Sequence, residues 1–209
     1  MGSSPADATQ ADGRRFRGPP GGGLRGLLTP ANALSVARLA AAPALAVALL
    51  RRAPDAAALL FVFAVASDLA DGRLARRRGE VSVWGGLLDH GADASFAVLG
   101  LASLALRGTL PAALPPLVAL AFAQYALGSR AHRGQALRAS RLGRWNGIAY
   151  FVLLGTALCR DALALGWPAD PWLRAAGWAL VVSTLLSMTE RRLRRRSGRP
   201  GIDAGGPPA

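Results

Sequence analysis

Long apolar stretches alternate along the chain with short clusters of arginine, glycine and proline. Several approach the roughly 20 residues that a helix needs to span a bilayer. The pattern predicts an all-α, polytopic integral membrane protein with about six transmembrane helices. Leu24, Leu27 and Leu28, just before the first stretch, predict a short N-terminal interfacial helix. The six stretches lie near residues 33–50, 55–75, 84–106, 109–128, 145–165 and 171–189.

The two ends of the chain differ in composition from this apolar middle. Residues 1–24 are rich in Gly, Pro, Ser and Arg, and residues 190–209 are rich first in Arg and then in Gly and Pro. Neither end holds enough apolar side chains to fold by itself, so both are predicted to be disordered tails. The membrane domain is therefore expected over residues 25–189.

Arginine marks one side of the predicted helices. All 25 basic residues are Arg, and most fall in residues 14–25, 73–78, 130–144 and 191–199. The opposite side has only Arg51, Arg52, Arg107, Arg160 and Arg174. The positive-inside rule then predicts cytoplasmic termini in a bacterial-type inner membrane. The formal net charge is +13, but no recognised nucleic-acid-binding motif accompanies it, so no nucleic-acid partner is expected.

Four aspartates lie where two predicted helices meet the cytoplasmic side. Asp68 and Asp71 are spaced i, i+3 and Asp89 and Asp93 i, i+4, so each pair projects from one face of its helix. Acids within a membrane segment are costly and usually functional. Two facing helices would bring four carboxylates to one point, where Mg²⁺ or Mn²⁺ would neutralise them. His90 is expected to point away from Asp89 and Asp93 and to pack.

Two other classes of protein share part of this pattern. A divalent-cation transporter also needs intramembrane acids that face one cavity. A structural membrane protein with the four aspartates in a solvated loop would tolerate Asp to Asn changes without a chemical phenotype. The arrangement of the four acids alone leaves both classes open.

The residues around the acids form a longer motif, D-x-x-D-G-x-x-A-R, then eight residues, then G-x-x-x-D-x-x-x-D. This motif resembles the signature of the CDP-alcohol phosphatidyltransferase family. The resemblance covers the first three predicted helices, and the second half of the chain matches only loosely. The fixed positions here are Asp68, Asp71, Gly72, Ala75, Arg76, Gly85, Asp89 and Asp93.

The resemblance implies a role for each acid. Two divalent ions would bridge the pyrophosphate of a CDP-linked lipid, which is expected to be CDP-diacylglycerol. Asp68 and Asp89 would contact both ions, Asp71 the first and Asp93 the second. Asp93 would also accept the proton of the attacking hydroxyl.

The resemblance further implies a nucleotide-lipid site. Gly72, Arg76 and Ser82 would contact the cytidine nucleotide, and the stretch Asn32, Ala33, Leu34 and Ser35 would contribute to the same site. On the predicted first helix, Asn32, Ser35 and Arg38 recur as a polar stripe. A helix cap and an arginine reaching toward water would explain that stripe equally simply.

A basic loop near residues 127–146 is the expected place for an acceptor phosphate. Arg130, Arg141 and Arg144 are its candidate ligands, because guanidinium groups fit phosphate well. Residues 140–147, SRLGRWNG, resemble the S-x-L-G-K-x-K-T stretch of the phosphatidylglycerophosphate synthases but depart from it at Asn146 and Gly147. Glycerol 3-phosphate is the predicted acceptor, with inositol phosphate, serine or another alcohol as alternatives.

The partners implied are CDP-diacylglycerol or another CDP-alcohol, a small polar alcohol and the lipid bilayer. The products would be a phospholipid and CMP. The sequence leaves open whether the protein forms a homodimer.

Overall fold

The computed structural model describes residues 30–78, 83–131 and 141–197. These residues form six α-helices and no strand, which confirms the all-α prediction. The helices are α1 (Pro30–Leu50), α2 (Pro54–Arg78), α3 (Val83–Leu106), α4 (Leu114–Ala131), α5 (Arg141–Ala162) and α6 (Asp170–Ser197).

Local sequence explains where several helices begin and end. Pro30 and Pro54 occupy the first positions of α1 and α2, where a missing N–H costs little. The residues after α1, α3 and α5 adopt left-handed backbone angles at Arg52 (φ 54°), Gly108 (φ 79°) and Ala164 (φ 51°). Each allows the chain to satisfy terminal carbonyl groups of the helix that has just ended. These three turns lie at the same end of the helix bundle.

Helix α1 packs against both α2 and α3, and α2 and α3 also pack against α5. Small residues allow close approach at two of these crossings. A Cβ atom added at Gly100 would lie 2.8 Å from Leu154, and one added at Gly155 would lie 2.7 Å from the ring of Phe61. Phe61 also contacts the ring of Phe96, which is fully buried. This packing fixes the rotation of the helices that carry the predicted site.

Apolar side chains also cover much of the outer surface, for example Leu59 (71% exposed) and Leu186 (60% exposed). One helix among the described residues, over Ala33–Leu50, is long and apolar enough to cross a membrane by length and composition. Charged residues lower the hydropathy of other helices. The structure confirms six helices that overlap the six predicted stretches, while their polytopic membrane topology stays a prediction.

The predicted tails fall largely outside the described residues. Residues 1–29, which include the predicted interfacial helix, and residues 198–209 lie outside them. Helix α6 continues past residue 189 to Ser197. The division into a membrane domain and two tails stays a prediction.

Candidate metal and substrate site

Three of the four predicted acids come together between α2 and α3. Asp68 extends from α2, and Asp89 and Asp93 extend from α3 one turn apart. One carboxylate oxygen from each acid lies within 4.8 Å of the other two. The side chains are 51%, 38% and 23% exposed, respectively, so the cluster is open to solvent on one side. The side chain of Asp71, on the same helix as Asp68, lies outside the described residues.

A buried arginine from α1 occupies the centre of this acid cluster. Arg38 has no exposed side-chain surface, and its Nη1 lies 3.0 Å from Asp89 Oδ1 and 3.6 Å from Asp68 Oδ1. The same nitrogen donates a hydrogen bond to Asp93 Oδ1. The Nε group donates to Ser67 Oγ at 3.2 Å. The alternative of an arginine that reaches toward water is therefore wrong for Arg38, because its guanidinium group is enclosed by the acids.

Ser35 stands beside Arg38 on the same face of α1. Its side chain is buried, and its hydroxyl donates to Asp89 Oδ1 at 3.3 Å. Two positions of the predicted polar stripe thus face the acids. The spacing of Ser35 and Arg38 in an apolar stretch was the available signal, but it does not show which neighbouring helix the stripe meets.

A cavity of about 910 Å³ borders the acids. Asp68, Asp93 and the exposed Arg144 line it together with Phe61 and Phe151. Phe61 precedes Asp68 by seven residues on α2, and Phe151 follows Arg144 by seven on α5. Seven helical residues correspond to roughly 10 Å along a helix axis. The cavity therefore combines charged groups near one end of the bundle with aromatic groups deeper in it.

Buried polar side chains of α5 and α6 form another part of the cavity lining. Asn146 Oδ1 accepts a hydrogen bond from Ser183 Oγ at 2.6 Å. The hydroxyl groups of Tyr150 and Thr184 lie 2.5 Å apart. Asn146, Tyr150 and Thr184 all line the cavity. Sequence reasoning noted Asn146 only as a departure from a subgroup motif and missed the other two.

A family model described as CDP-alcohol phosphatidyltransferase matches residues 28–188. The chain belongs to the CDP-alcohol phosphatidyltransferase family. The matched residues include α1 to α5, most of α6 and the whole acid cluster. No solved structure shows a significant match to the chain.

Membership of the CDP-alcohol phosphatidyltransferases makes this chain an enzyme, a transferase of substituted phosphate groups. This finding confirms the resemblance and decides against the cation transporter and the purely structural protein. Members of the family are integral membrane proteins that take a CDP-alcohol as substrate in phospholipid synthesis. The closer resemblance to phosphatidylglycerophosphate synthases stays a prediction, because the match is to the family as a whole.

CDP-alcohol phosphatidyltransferases use divalent metal ions, and the acid cluster fits such an ion. The convergent ligand atoms are all carboxylate oxygens, which suit hard cations. Oxygen ligands on opposite sides of an Mg²⁺ ion are about 4 Å apart. The carboxylate oxygens lie within 4.8 Å of one another, so a small inward movement of these oxygens would let all three contact one ion. His90 packs its ring edge-on to Phe122, with centroids 5.5 Å apart.

The side chains of several predicted site residues lie outside the part of the chain that the structure describes. Ser82 lies outside the described residues, as do the side chains of Asn32, Arg76, Arg130 and Arg141, although the backbones of these four belong to helices. Gly72, which has no side chain, belongs to α2. Ala33 is exposed and Leu34 is half-buried, at the start of α1.

Proposed function

We propose that this enzyme transfers a phosphatidyl group from CDP-diacylglycerol to a small alcohol, glycerol 3-phosphate, and releases CMP. The observation that carries the proposal is the convergence of Asp68, Asp89 and Asp93 beside a cavity that also has aromatic lining. The acids suit metal ions bound to a pyrophosphate, and the aromatic part suits hydrocarbon. A diacylglycerol-linked CDP combines both chemical features in one molecule.

The four aspartates would together bind the two metal ions. Asp68 and Asp89 would contact both ions, Asp71 the first and Asp93 the second. Two bound ions, Mg²⁺ or Mn²⁺, would neutralise the pyrophosphate and stabilise the attacking and leaving oxygens. The positions of Asp68, Asp89 and Asp93 around one point support this assignment.

Asp93 would act as the general base. It lines the cavity, whereas Asp89 does not, so an acceptor hydroxyl in the cavity would meet the Asp93 carboxylate. The hydroxyl oxygen would form a bond to the phosphorus that carries the diacylglycerol. The bond from that phosphorus to the bridging pyrophosphate oxygen would break, CMP would leave with the bonding electrons, and Asp93 would hold the proton.

The donor nucleotide would lie between α1 and the motif on α2. Gly72, Arg76 and Ser82 would contact the nucleotide, together with the stretch Asn32, Ala33, Leu34 and Ser35. The hydrogen bond from Ser35 to Asp89 supports this placement, because it puts the start of α1 next to a predicted metal ligand.

The acceptor would approach from the side of α5. Arg144 lines the cavity and is exposed, so its guanidinium group is available for the phosphate of glycerol 3-phosphate. Arg130 and Arg141 would assist from neighbouring positions. An acceptor without a phosphate, such as serine, would need none of these charges, and inositol phosphate would use them as glycerol 3-phosphate does.

The same proposal covers the setting of the enzyme. Six helices would span the inner membrane of a bacterial-type cell, with the acid cluster and both termini on the cytoplasmic side. Reporter fusions after Ala209 and within residues 130–140 are expected to indicate the cytoplasm, and a fusion after Arg107 the far side. A C-terminus on the far side would contradict the six-span topology.

Purified protein in lipid nanodiscs tests the reaction directly. Each reaction contains CDP-diacylglycerol, either Mn²⁺ or Mg²⁺, and a single acceptor. The acceptors compared are glycerol 3-phosphate, inositol phosphate and serine. We expect CMP release only with a competent acceptor, and a lipid product whose mass identifies that acceptor. The Asp89→Asn protein is the matched negative control. CMP release with serine but not with glycerol 3-phosphate would overturn the proposed acceptor and leave the reaction class intact.

A further inference from the structure

We infer that Arg38 is an internal cation of the acid cluster, which binds the carboxylates in the metal-free enzyme and must leave them when a divalent ion binds. The inference rests on the proposed function in one respect, namely that the acids are metal ligands. It assigns a role to a residue of α1 that lies outside the family motif on α2 and α3.

The geometry around one nitrogen atom is the first step. Arg38 Nη1 contacts Asp93 Oδ1, lies 3.0 Å from Asp89 Oδ1 and lies 3.6 Å from Asp68 Oδ1. The carboxylates whose oxygen atoms converge within 4.8 Å are the same three. A divalent ion would have to lie among those oxygens, about 2.1 Å from each for Mg²⁺. Arg38 Nη1 and the ion would therefore occupy overlapping positions.

Burial is the second step. The Arg38 side chain has no exposed surface, although a guanidinium group is strongly disfavoured in an apolar environment without partners. The carboxylates likewise repel one another at this separation unless a cation lies between them. Arg38 thus stabilises the cluster before metal arrives, and the cluster in turn stabilises Arg38. Binding of the ion replaces one cation by another.

The contact with Ser67 is the third step. Arg38 Nε donates to Ser67 Oγ, and Ser67 Oγ donates to the Ala64 carbonyl oxygen. Nε and Nη1 therefore have separate partners. The guanidinium group can lose its carboxylate contacts through Nη1 and still keep a hydrogen bond through Nε. Competition between Arg38 and the ion then requires rotation of one side chain rather than unfolding of α1.

Metal affinity without turnover tests the inference. Full-length protein in nanodiscs is titrated with Mn²⁺ alone, and free Mn²⁺ is measured by electron paramagnetic resonance. Arg38→Gln removes the competing charge, so Mn²⁺ is expected to bind more tightly, with a Kd lowered by about 5- to 150-fold, the usual range for coupled sites. Arg51→Gln, which changes an exposed arginine just beyond the other end of α1, is the matched control and should leave the Kd unchanged.

Thermal unfolding of the same proteins supplies a second measurement. In a chelator, Arg38→Gln should melt below the wild-type protein, because the acids then lack any cation. Saturating Mn²⁺ should raise its Tm by more than it raises the wild-type Tm. An unchanged or weaker Mn²⁺ affinity in Arg38→Gln would overturn the inference and make Arg38 a residue that only positions the acids.

Two further variants make the outcomes distinguishable. Asp89→Asn should weaken Mn²⁺ binding, and unchanged binding in that variant would refute the metal site itself rather than the role of Arg38. If Arg38→Gln does not fold even with Mn²⁺ present, Arg38→Lys is used in the same titration. Lysine keeps the charge but reaches less far, so a Kd below the wild-type value supports the inference, and an equal or higher Kd overturns it.

Discussion

The two ends of the helix bundle each hold a cluster of arginine and aspartate, and the clusters differ in composition. At one end, Asp68, Asp89 and Asp93 surround the single guanidinium group of Arg38. Carboxylates outnumber the described cation there by three to one. Such an excess is unfavourable by itself, because like charges repel most strongly where water is scarce. An acid-rich cluster is therefore suited to bind divalent cations, which carry more charge than one guanidinium group.

At the opposite end, the charges balance. Asp161 on α5 lies between two arginines, with Oδ1 2.7 Å from Arg160 Nη2 and Oδ2 3.1 Å from Arg107 Nη2. The contact to Arg107 is an ion pair without hydrogen-bond geometry at Oδ2. Arg160 Nη1 also lies 2.6 Å from Asp170 Oδ1 at the start of α6. These contacts connect the ends of α3, α5 and α6, so we interpret this cluster as a structural clamp.

The largest expected effect comes from Asp89→Asn. The substitution removes a proposed ligand of both ions while it keeps the size of the side chain. We expect CMP release to fall to the background rate, with normal expression and membrane insertion. Asp55→Asn, in the first turn of α2 at the opposite end, is the matched control and should remain active. Turnover by Asp89→Asn above about a tenth of the wild-type rate would contradict the proposed role of the acid cluster.

Much of the acid-rich end could be predicted from local sequence. Spacings of i, i+3 and i, i+4 place acids on one helix face regardless of the rest of the fold. The apolar stretches likewise predicted six helices, and the structure has six helices that overlap those stretches. The position of Arg38 could not be predicted in this way, because the rotation of α1 depends on packing at distant residues. Gly100, for example, permits the close approach of side chains from both Leu45 and Leu154.

Helix boundaries show a similar limit. The fourth apolar stretch was predicted to begin near residue 109, but α4 begins at Leu114. Thr109 and Leu110 instead donate backbone hydrogen bonds to the Leu104 carbonyl oxygen and complete the end of α3. Hydropathy alone does not distinguish a buried turn from the first turn of a helix. The balanced cluster is not predicted from the sequence either, because its arginines indicate only membrane topology when they are considered without their partners.

A smaller effect is expected from Asp93→Asn. If Asp93 takes the proton of the acceptor hydroxyl, its loss should lower kcat by about 10²- to 10⁴-fold, the usual contribution of a general base. The assay is run at saturating Mn²⁺, because the substitution also removes a proposed metal ligand. A decrease in kcat of less than about tenfold at saturating metal would argue against the general-base role.

Arg144→Ala is expected to affect acceptor binding rather than chemistry. Loss of a charge-assisted hydrogen bond worth roughly 1.5–3 kcal/mol should raise the KM for glycerol 3-phosphate by about ten- to a hundredfold. The KM for CDP-diacylglycerol should change little, and Arg51→Ala is the matched control on the opposite side. The same measurement applies to Arg130→Ala and Arg141→Ala. Arg130 lies in α4 and Arg141 and Arg144 lie in α5, rather than in the predicted loop. If none of the three substitutions raises the acceptor KM, these arginines are only a topology signal and serine becomes the better acceptor.

The smallest effect on catalysis is expected from Asp161→Asn in the balanced cluster. Asp161 is 16% exposed and contacts both Arg107 and Arg160, so its loss leaves two arginines with fewer partners. We expect a loss of roughly 1–3 kcal/mol in stability, and a lower Tm by about 2–4 °C for each kcal/mol. Below the Tm of the variant, kcat and both KM values should match those of the wild-type enzyme.

A double-mutant cycle distinguishes a structural clamp from a general weakening of the bundle. Arg107→Gln alone should lower the Tm, because Asp161 then loses one of its two arginine partners. If the pair acts as a unit, the Asp161→Asn/Arg107→Gln protein should lose less stability than the sum of the two single variants. Strict additivity would show that Arg107 and Asp161 do not stabilise each other. A fall in kcat comparable to that of Asp89→Asn, measured below the Tm, would instead show that the balanced cluster is coupled to catalysis across the bundle.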